Sequence, residues 1–378
     1  MRRIFLLILC ILILLFFSTT STPKIGLEHY YFIIALGLDK LENNFLKITV
    51  QLSTSKDDTS SSSGSSQSSK YEVFSVEAKT INEGLTVLNN YLNKKLNLSH
   101  CSSIIISEEL AKDGIKECFN TLSNNTELRH SALVLVSSST SYDLIKNVSN
   151  SGEAFSSRLY DHFTTSIDYT GFSFKSTFGD FFEAMNNKSK SPVTLYISQN
   201  GEMNQTSGIA IFKDDKLSSI ASITDSIAHL ILTNNLEKTI VRLNNPFNND
   251  EHIDLELSLY KKTSINIDFV ENTPCIIANI YPEGKILSSG STFNYTNINN
   301  VNKIEDITNT YVNTLCNNYL KLLLNLDCDT IGFAEIYKSK LLFENDFDNS
   351  YWNNNYKQTI FNSNVNTKIN SSNLFNKE

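Results

Sequence analysis

The chain has 378 residues, 40% of them hydrophobic and 19% charged, with a formal net charge of −8 at pH 7. That is a globular composition, too long for a single core, so two or three domains are expected. The acidic balance argues against a nucleic-acid partner, which rewards clustered Lys and Arg, and against a broad electrostatic hold on anionic lipid.

Met1-Arg2-Arg3 is followed by Ile4 to Phe17, where Cys10 is the sole interruption of apolar and aromatic side chains. A charged start and a short apolar run are the pattern of an export signal. As a helix the run reaches about 21 Å at roughly 1.5 Å per residue, short of the roughly 30 Å bilayer core. Ser18 to Thr22 supplies small residues for cleavage, and a leader left uncleaved would be a short membrane anchor. Cys10 is the one lipidation candidate, but Leu9 stands where a lipoprotein signal needs a small residue.

Tyr31–Leu38 reads as a buried strand, and Leu46–Leu52 alternates as its hairpin partner. Ser53 to Ser69 is Ser-rich and unable to bury apolar area, so it is expected to be a disordered hairpin tip. Tyr71–Val76 resumes as a third strand. Thr80-Ile81-Asn82-Glu83 is a capping box opening a helix whose apolar face runs Ile81, Leu85, Leu88, Leu92, Leu96. Ile104–Ile106 is a short buried strand, Ser107 caps a helix that begins Glu108-Glu109, Ala132–Val136 is another strand, and Ser141–Val148 another helix. Strands separated by helices in this order predict a mixed α/β sheet.

Ser176–Met185 reads as a capped helix with an aromatic face. After Pro192, strand-like runs dominate: 193–198, 208–212, 253–260, 265–270 and 275–281. One long helix follows, with Ile304, Ile307, Tyr311, Leu315, Tyr319, Leu322 and Leu326 on one face. Asp329 to Tyr337 reads as a strand, and Trp352 falls in a late helical stretch. The expected architecture is α/β plus α+β: an N-terminal mixed sheet with helices, then an antiparallel sheet packed on the long helix. The expected units are residues 1–21 as export signal or anchor, 22–195, and 196–378, with a further division near 150 left open.

The search for chemistry returns little. There is no G-x-S-x-G, H-E-x-x-H, G-x-x-x-x-G-K-[ST] or G-x-G-x-x-G. Asp327-Cys328-Asp329-Thr330-Ile331-Gly332 starts like a calcium loop, but Ile331 and Lys338 occupy positions that need oxygen ligands. Of His29, His100, His130, His162, His229 and His252, no two have metal-ligand spacing on one element. His100-Cys101 invites a nucleophile reading, yet adjacent residues on an extended segment point to opposite faces. The mature cysteines, Cys101, Cys118, Cys275, Cys316 and Cys328, lack the spacing of a disulfide framework and read as buried thiols. Glu108-Glu109 and Asp214-Asp215 read as solvated charge at a helix start and a turn. No catalytic, cofactor or metal residue is nominated.

Several stretches, in order, resemble the C subunits of spore germinant receptors, the Ger(x)C or GerAC-like family. Ala35-Leu36-Gly37-Leu38-Asp39-Lys40 is similar to its G-x-G-x-D-K hairpin. Lys79–Leu85, Asn93–Cys101 and Ile104–Ile115 resemble its first helix, a segment ending in His, an apolar strand and an E-E-L-A-x-x-G-I helix. Gly208–Leu217 resembles the start of its C-terminal domain, and Asp329-Thr330-Ile331-Gly332-Phe333 its D-x-x-G-F strand. The resemblance implies a non-enzymatic, membrane-associated protein at the outer face of the spore inner membrane. There it would work with two integral membrane subunits, A- and B-type, in an assembly triggered by nutrient germinants. Family members are typically lipoproteins, whereas here no cysteine stands between Phe17 and Gly26. A competing expectation is an exported small-ligand-binding protein.

Overall fold

The computed structural model describes residues 26–53, 71–150, 174–187, 189–200, 203–248, 250–270, 273–288, 297–341 and 355–370, with Arg3, Ala154, Phe155, Leu159 and Trp352. The leader, Cys10, most of the Ser-rich tract and His162 lie outside them.

The chain first lays down β1 (Tyr30–Lys40), β2 (Leu46–Ser53) and β3 (Tyr71–Ala78), all antiparallel neighbours. There follow α1 (Ile81–Tyr91), β4 (Lys95–Asn97), β5 (Ser103–Ser107), α2 (Glu108–Asp113), α3 (Lys116–Ser123), β6 (Leu133–Ser137), α4 (Ser141–Asn150) and α5 (Phe178–Asn186). β7 (Val193–Asn200), β8 (Met203–Lys213) and β9 (Lys216–Ala221) close this part. Among the described residues these strands make one sheet, ordered β3-β2-β1-β5-β6-β7-β8-β9, with β4 beside the start of β1. The middle of the sheet is parallel, β1 to β5 to β6 to β7, and both flanks are antiparallel.

Burial explains the middle. Every residue of β5 and β6 is buried. Ile104, Ile106, Val134 and Val136 pack into a core under α1, α2, α3 and α5, while Ile105, Leu133 and Leu135 pack on the opposite face with Leu144 and Ile145 of α4. A parallel sheet covered on both faces has this continuous apolar run, and period two sorts it between the layers.

The rest comprises α6 (Ile223–Leu232), β10 (Thr239–Asn244), β11 (His252–Val270), β12 (Thr273–Ser288), α7 (Ile298–Leu326), α8 (Phe333–Leu341), β13 (Ile360–Val365) and β14 (Lys368–Asn370). The second sheet is ordered β10-β11-β12-β13. Its first three strands are antiparallel, and β13 and β14 add to β12 in parallel. The two runs read as 253–260 and 265–270 are one bulged strand, with register shifts near Lys261. The α/β plus α+β architecture is therefore as expected.

Four local expectations are corrected. The stretch Asp329 to Tyr337, expected as a strand, is a turn that leads into helix α8 from Phe333, for a reason given below. α1 ends at Tyr91, and Leu96 is buried from β4. In the α1 capping box, Thr80 Oγ1 accepts the Glu83 N–H, but Glu83 Oε2 accepts from the backbone of Lys79, one residue before the cap. On α7 the fully buried stripe is Ile304, Thr308, Val312, Cys316, Tyr319 and Leu323, rotated from the expected face so that Ile307, Tyr311 and Leu322 lie half-buried at its edge.

The expected division after residue 195 falls inside β7. Strands β7 to β9 continue the first sheet, yet Val193, Ile209, Ile211 and Ala221 join the C-terminal core with α6 and α7. On β8 the alternate residues Ala210 and Phe212 belong to the N-terminal core.

Candidate functional site

The resemblance motifs fold into braces between elements. Asp39, at the end of β1, is buried, and its carboxylate accepts the N–H of Ser141 at 2.6 Å, the hydroxyl of Ser141 at 2.8 Å and the N–H of Tyr142 at 3.2 Å. It thus caps the first turn of α4 from another element. Burial raises the Asp39 carboxyl above its ordinary value, while the bonds from Ser141 and Tyr142 pull it down. Ser107 caps α2 by accepting the N–H of Leu110. Glu108 is not simply solvated, since it accepts hydrogen bonds from Lys112 and the hydroxyl of Tyr196 on β7. Asp215, in the β8–β9 turn, receives the N–H of Ile115 on its carbonyl at 3.1 Å and of Lys116 on its carboxylate at 3.4 Å. Asp214 beside it is exposed, as expected.

The densest polar cluster lies where the segment after α5 meets the end of α7. Asp327 caps α7 in the left-handed conformation at φ 56°, and its carboxylate lies 2.8 Å from Lys213 Nζ and 3.5 Å from Lys357 Nζ. Ser191 donates its N–H to the Asp329 carbonyl at 2.7 Å and accepts the Asp329 N–H on its hydroxyl at 2.9 Å. The Asp329 carboxylate accepts the N–H groups of Gly332 at 2.8 Å and Ala334 at 2.9 Å. With Gly332 at φ +88°, this cap turns the chain into α8 and overrides the strand-like alternation of Ile331 and Phe333. Both acids of the calcium-like stretch are thereby occupied with backbone amides and lysines. Among the described residues no group of three His, Cys, Asp or Glu side chains is arranged to hold a metal ion.

Next to this turn, His229 of α6 shares a hydrogen bond with Tyr319 Oη at 3.0 Å, and Tyr319 shares one with Thr330 Oγ1 at 2.7 Å. Tyr356 donates its hydroxyl to the Cys328 carbonyl at 2.9 Å. Burial pushes the His229 imidazole down to about 3, with the nearby charge of Lys190 acting in the same direction. Burial pushes Asp329 up to about 6, against its three backbone hydrogen bonds and Lys190. Tyr319 and Tyr356 are raised by burial as well. At neutral pH His229 is uncharged and the two tyrosines keep their protons. These hydrogen bonds tie α6, α7, α8 and the 189–192 segment together.

Two cavities border the cluster and share Ala184, Lys190 and Ser191. One, of about 290 Å³, is lined by Met185, Asp214, Asp329, Trp352 and Tyr356. The other, of about 430 Å³, is lined by Phe174, Phe181, His229, Thr263 and Ile336.

His100 is exposed and stacks on Phe32 at 4.3 Å, whereas Cys101 is buried and its thiol is pushed up to about 12 by burial. The pair therefore does not form a nucleophile and base. All five described cysteines are free and buried, in line with the thiol reading. His229 escaped the sequence reading because it is one polar residue in the apolar run Ile227–Leu232. Its partner Tyr319 is 90 residues away. The signal present but unused was Ser222-x-x-Asp225, a reciprocal capping box that opens α6.

Residues 24–199 match the family model described as spore germination protein N-terminal domain. Residues 207–373 match that described as spore germination B3/GerAC like, C-terminal. The chain is 20% identical over 301 residues to spore germination protein GerQC of Bacillus cereus, covering 80% of this chain and 82% of that protein. It is also similar to the crystal structure of the GerBC protein, with a TM-score of 0.56 and 12% identity over 88% of this chain and 96% of that one. At that identity the likeness speaks for the fold alone.

Proposed function

The chain belongs to the GerAC-like family of spore germination proteins, and from that premise we propose that it is the non-enzymatic C subunit of a nutrient germinant receptor. The observation carrying this reading is that N- and C-terminal family models match in order, over 24–199 and 207–373. The named relative GerQC is itself a spore germination protein. In this reading the protein sits on the outer face of the spore inner membrane, beside A- and B-type integral membrane subunits. No helix among the described residues is long and apolar enough to cross a membrane, so attachment falls to the leader or to those subunits.

The role is that of a braced body that touches neighbours. Asp39, Glu108, Asp215 and Asp329 each fasten one element to another, and burial disfavours the charged forms of the His229 imidazole and the Cys101 thiol. Deleting the gene tests the proposal. Spores should lose the response to one class of nutrient while still germinating with a non-nutrient trigger. Unchanged nutrient germination in a strain without a paralogue would overturn it. A second reading, an exported small-ligand-binding protein, is favoured by the cavity of about 430 Å³ beside His229, within the size range of small-molecule sites. Calorimetric titration with amino acids, sugars and nucleosides separates the two readings, since a free binding protein should give heat without any membrane partner.

A further inference from the structure

β1 takes β4 as its neighbour only over its first three residues, Tyr30↔Lys95, Tyr31↔Leu96 and Phe32↔Asn97. This short pairing gathers aromatic rings and lysines where the described chain begins. Lys95 Nζ lies 6.0 Å from the centre of the Tyr30 ring, and Lys94 Nζ lies 5.2 Å from that of Tyr31. The Phe32 ring stacks on exposed His100. Tyr31 donates its hydroxyl to Asn93, and Tyr91, two residues earlier, is 82% exposed. Glu28 and Glu127 are acids of the adjoining turns, so the face is mixed and its cations are local.

Position decides what covers it. The apolar run ends at Phe17, and residues 18–25 can span at most roughly 28 Å fully extended. An anchored leader therefore holds this face within that reach of the membrane. Tyrosine with lysine beside it is the composition that settles at headgroup depth, the ring at the boundary and the ammonium among phosphates. A short tether supplies a high effective concentration, so a local patch suffices in an acidic chain.

We propose that this end of the sheet, with Tyr30, Phe32, Lys95 and His100 on one side of the β1–β4 pair, Lys94 over Tyr31 on the other and Tyr91 at the end of α1, lies against the lipid headgroup layer and sets how the protein stands on its membrane. This rests on the membrane-side placement proposed above. Lys261 over Tyr281 and Lys368 over Tyr260 repeat the chemistry on the second sheet without the tether, and serve as controls.

The test uses the full chain with its leader, reconstituted into phosphatidylcholine vesicles with and without phosphatidylglycerol. Amine labelling and hydroxyl-radical footprinting are compared with the detergent-solubilised protein. Labelling of Lys94 and Lys95 and oxidation of Tyr91 should fall several-fold on vesicles, more so with phosphatidylglycerol, while Lys368 stays reactive. Lys94→Glu with Lys95→Glu should leave flotation and circular dichroism unchanged and restore Tyr91 oxidation. Full reactivity of Lys94 and Lys95 on floating protein overturns this inference alone. Protein that does not float overturns the anchored placement with it. Protection that arises only when multi-span membrane proteins are added overturns the lipid assignment in favour of a protein interface.

Discussion

The Asp39 carboxylate reaches across 102 residues to accept the backbone N–H of Ser141, closing the first turn of α4 from the end of β1. Removing it leaves two helix N–H groups and a hydroxyl without this partner at a buried site. Asp39→Ala should therefore destabilise the protein by about 2–4 kcal/mol, more than loss of an ordinary surface cap. Asp39→Asn keeps the shape and one acceptor and should fall between. Urea denaturation of the three proteins checks the order, and equal midpoints would show that α4 does not depend on this cap.

Two glycines should rank opposite to helix propensity. By propensity alone Gly84→Ala in α1 stabilises by about 1 kcal/mol. Here a Cβ at 84 would lie 2.3 Å from Ile48 Cδ1 on β2 and 3.2 Å from Val76 Cγ1. The buried Ile48 must move, and the expected result is a net loss of about 1–2 kcal/mol. Gly208→Ala should be worse, because its φ is +138° and a Cβ would lie 1.9 Å from the Ala221 carbonyl oxygen. Thermal denaturation of both variants should show each below wild type, with Gly208→Ala the lower.

The His229 imidazole gives a pH signature. Its folded value is about 3 against an ordinary 6.5, so its contribution to stability is complete above pH 6.5 and is lost as pH falls toward about 3. Asp329 runs the other way. Raised to about 6 from 3.8, it favours folding below pH 3.8 and loses that contribution as pH rises through about 6. His229→Asn removes the first effect and leaves the second. Between about pH 4 and 6 the stability of the variant relative to wild type should worsen with rising pH by roughly 2–3 kcal/mol. Denaturant titrations across that window measure it, and a constant difference would show that His229 is not held neutral.

The Ser-rich tract should be dispensable for folding. Ser53 and Tyr71, which flank it, are directly paired across β2 and β3, so its ends already stand at hairpin distance. Replacing residues 54–70 with a two-residue Asn-Gly turn should leave the melting temperature unchanged or slightly raised, since closing a shorter loop is easier by about 1–2 kcal/mol. A fall of several degrees would show that the tract packs on the sheet.

Much of this fold is legible from periodicity. The five-residue strands β5 and β6 announce themselves as apolar runs, and Thr80 and Ser107 mark helix starts whose side-chain caps are present. α6 went unread because every residue from Ser226 to Leu232 is buried, which erases the two-faced pattern of a helix. Asp329 to Tyr337 reads as a strand because Ile331 and Phe333 alternate like one, while the deciding bonds run from Gly332 and Ala334 to Asp329. The polar cluster was only half visible. Asp329 stands in the D-x-x-G-F stretch, but the bond of Tyr319 to His229 crosses 90 residues, a separation that local spacing does not encode.

Ile209 and Ala210 are neighbours on β8, yet the first faces the C-terminal core and the second the N-terminal one. A strand with no idle face makes a poor hinge. Packing on both of its faces leaves β8 little room to shift without disturbing one core or the other, so the two cores share it as a common wall.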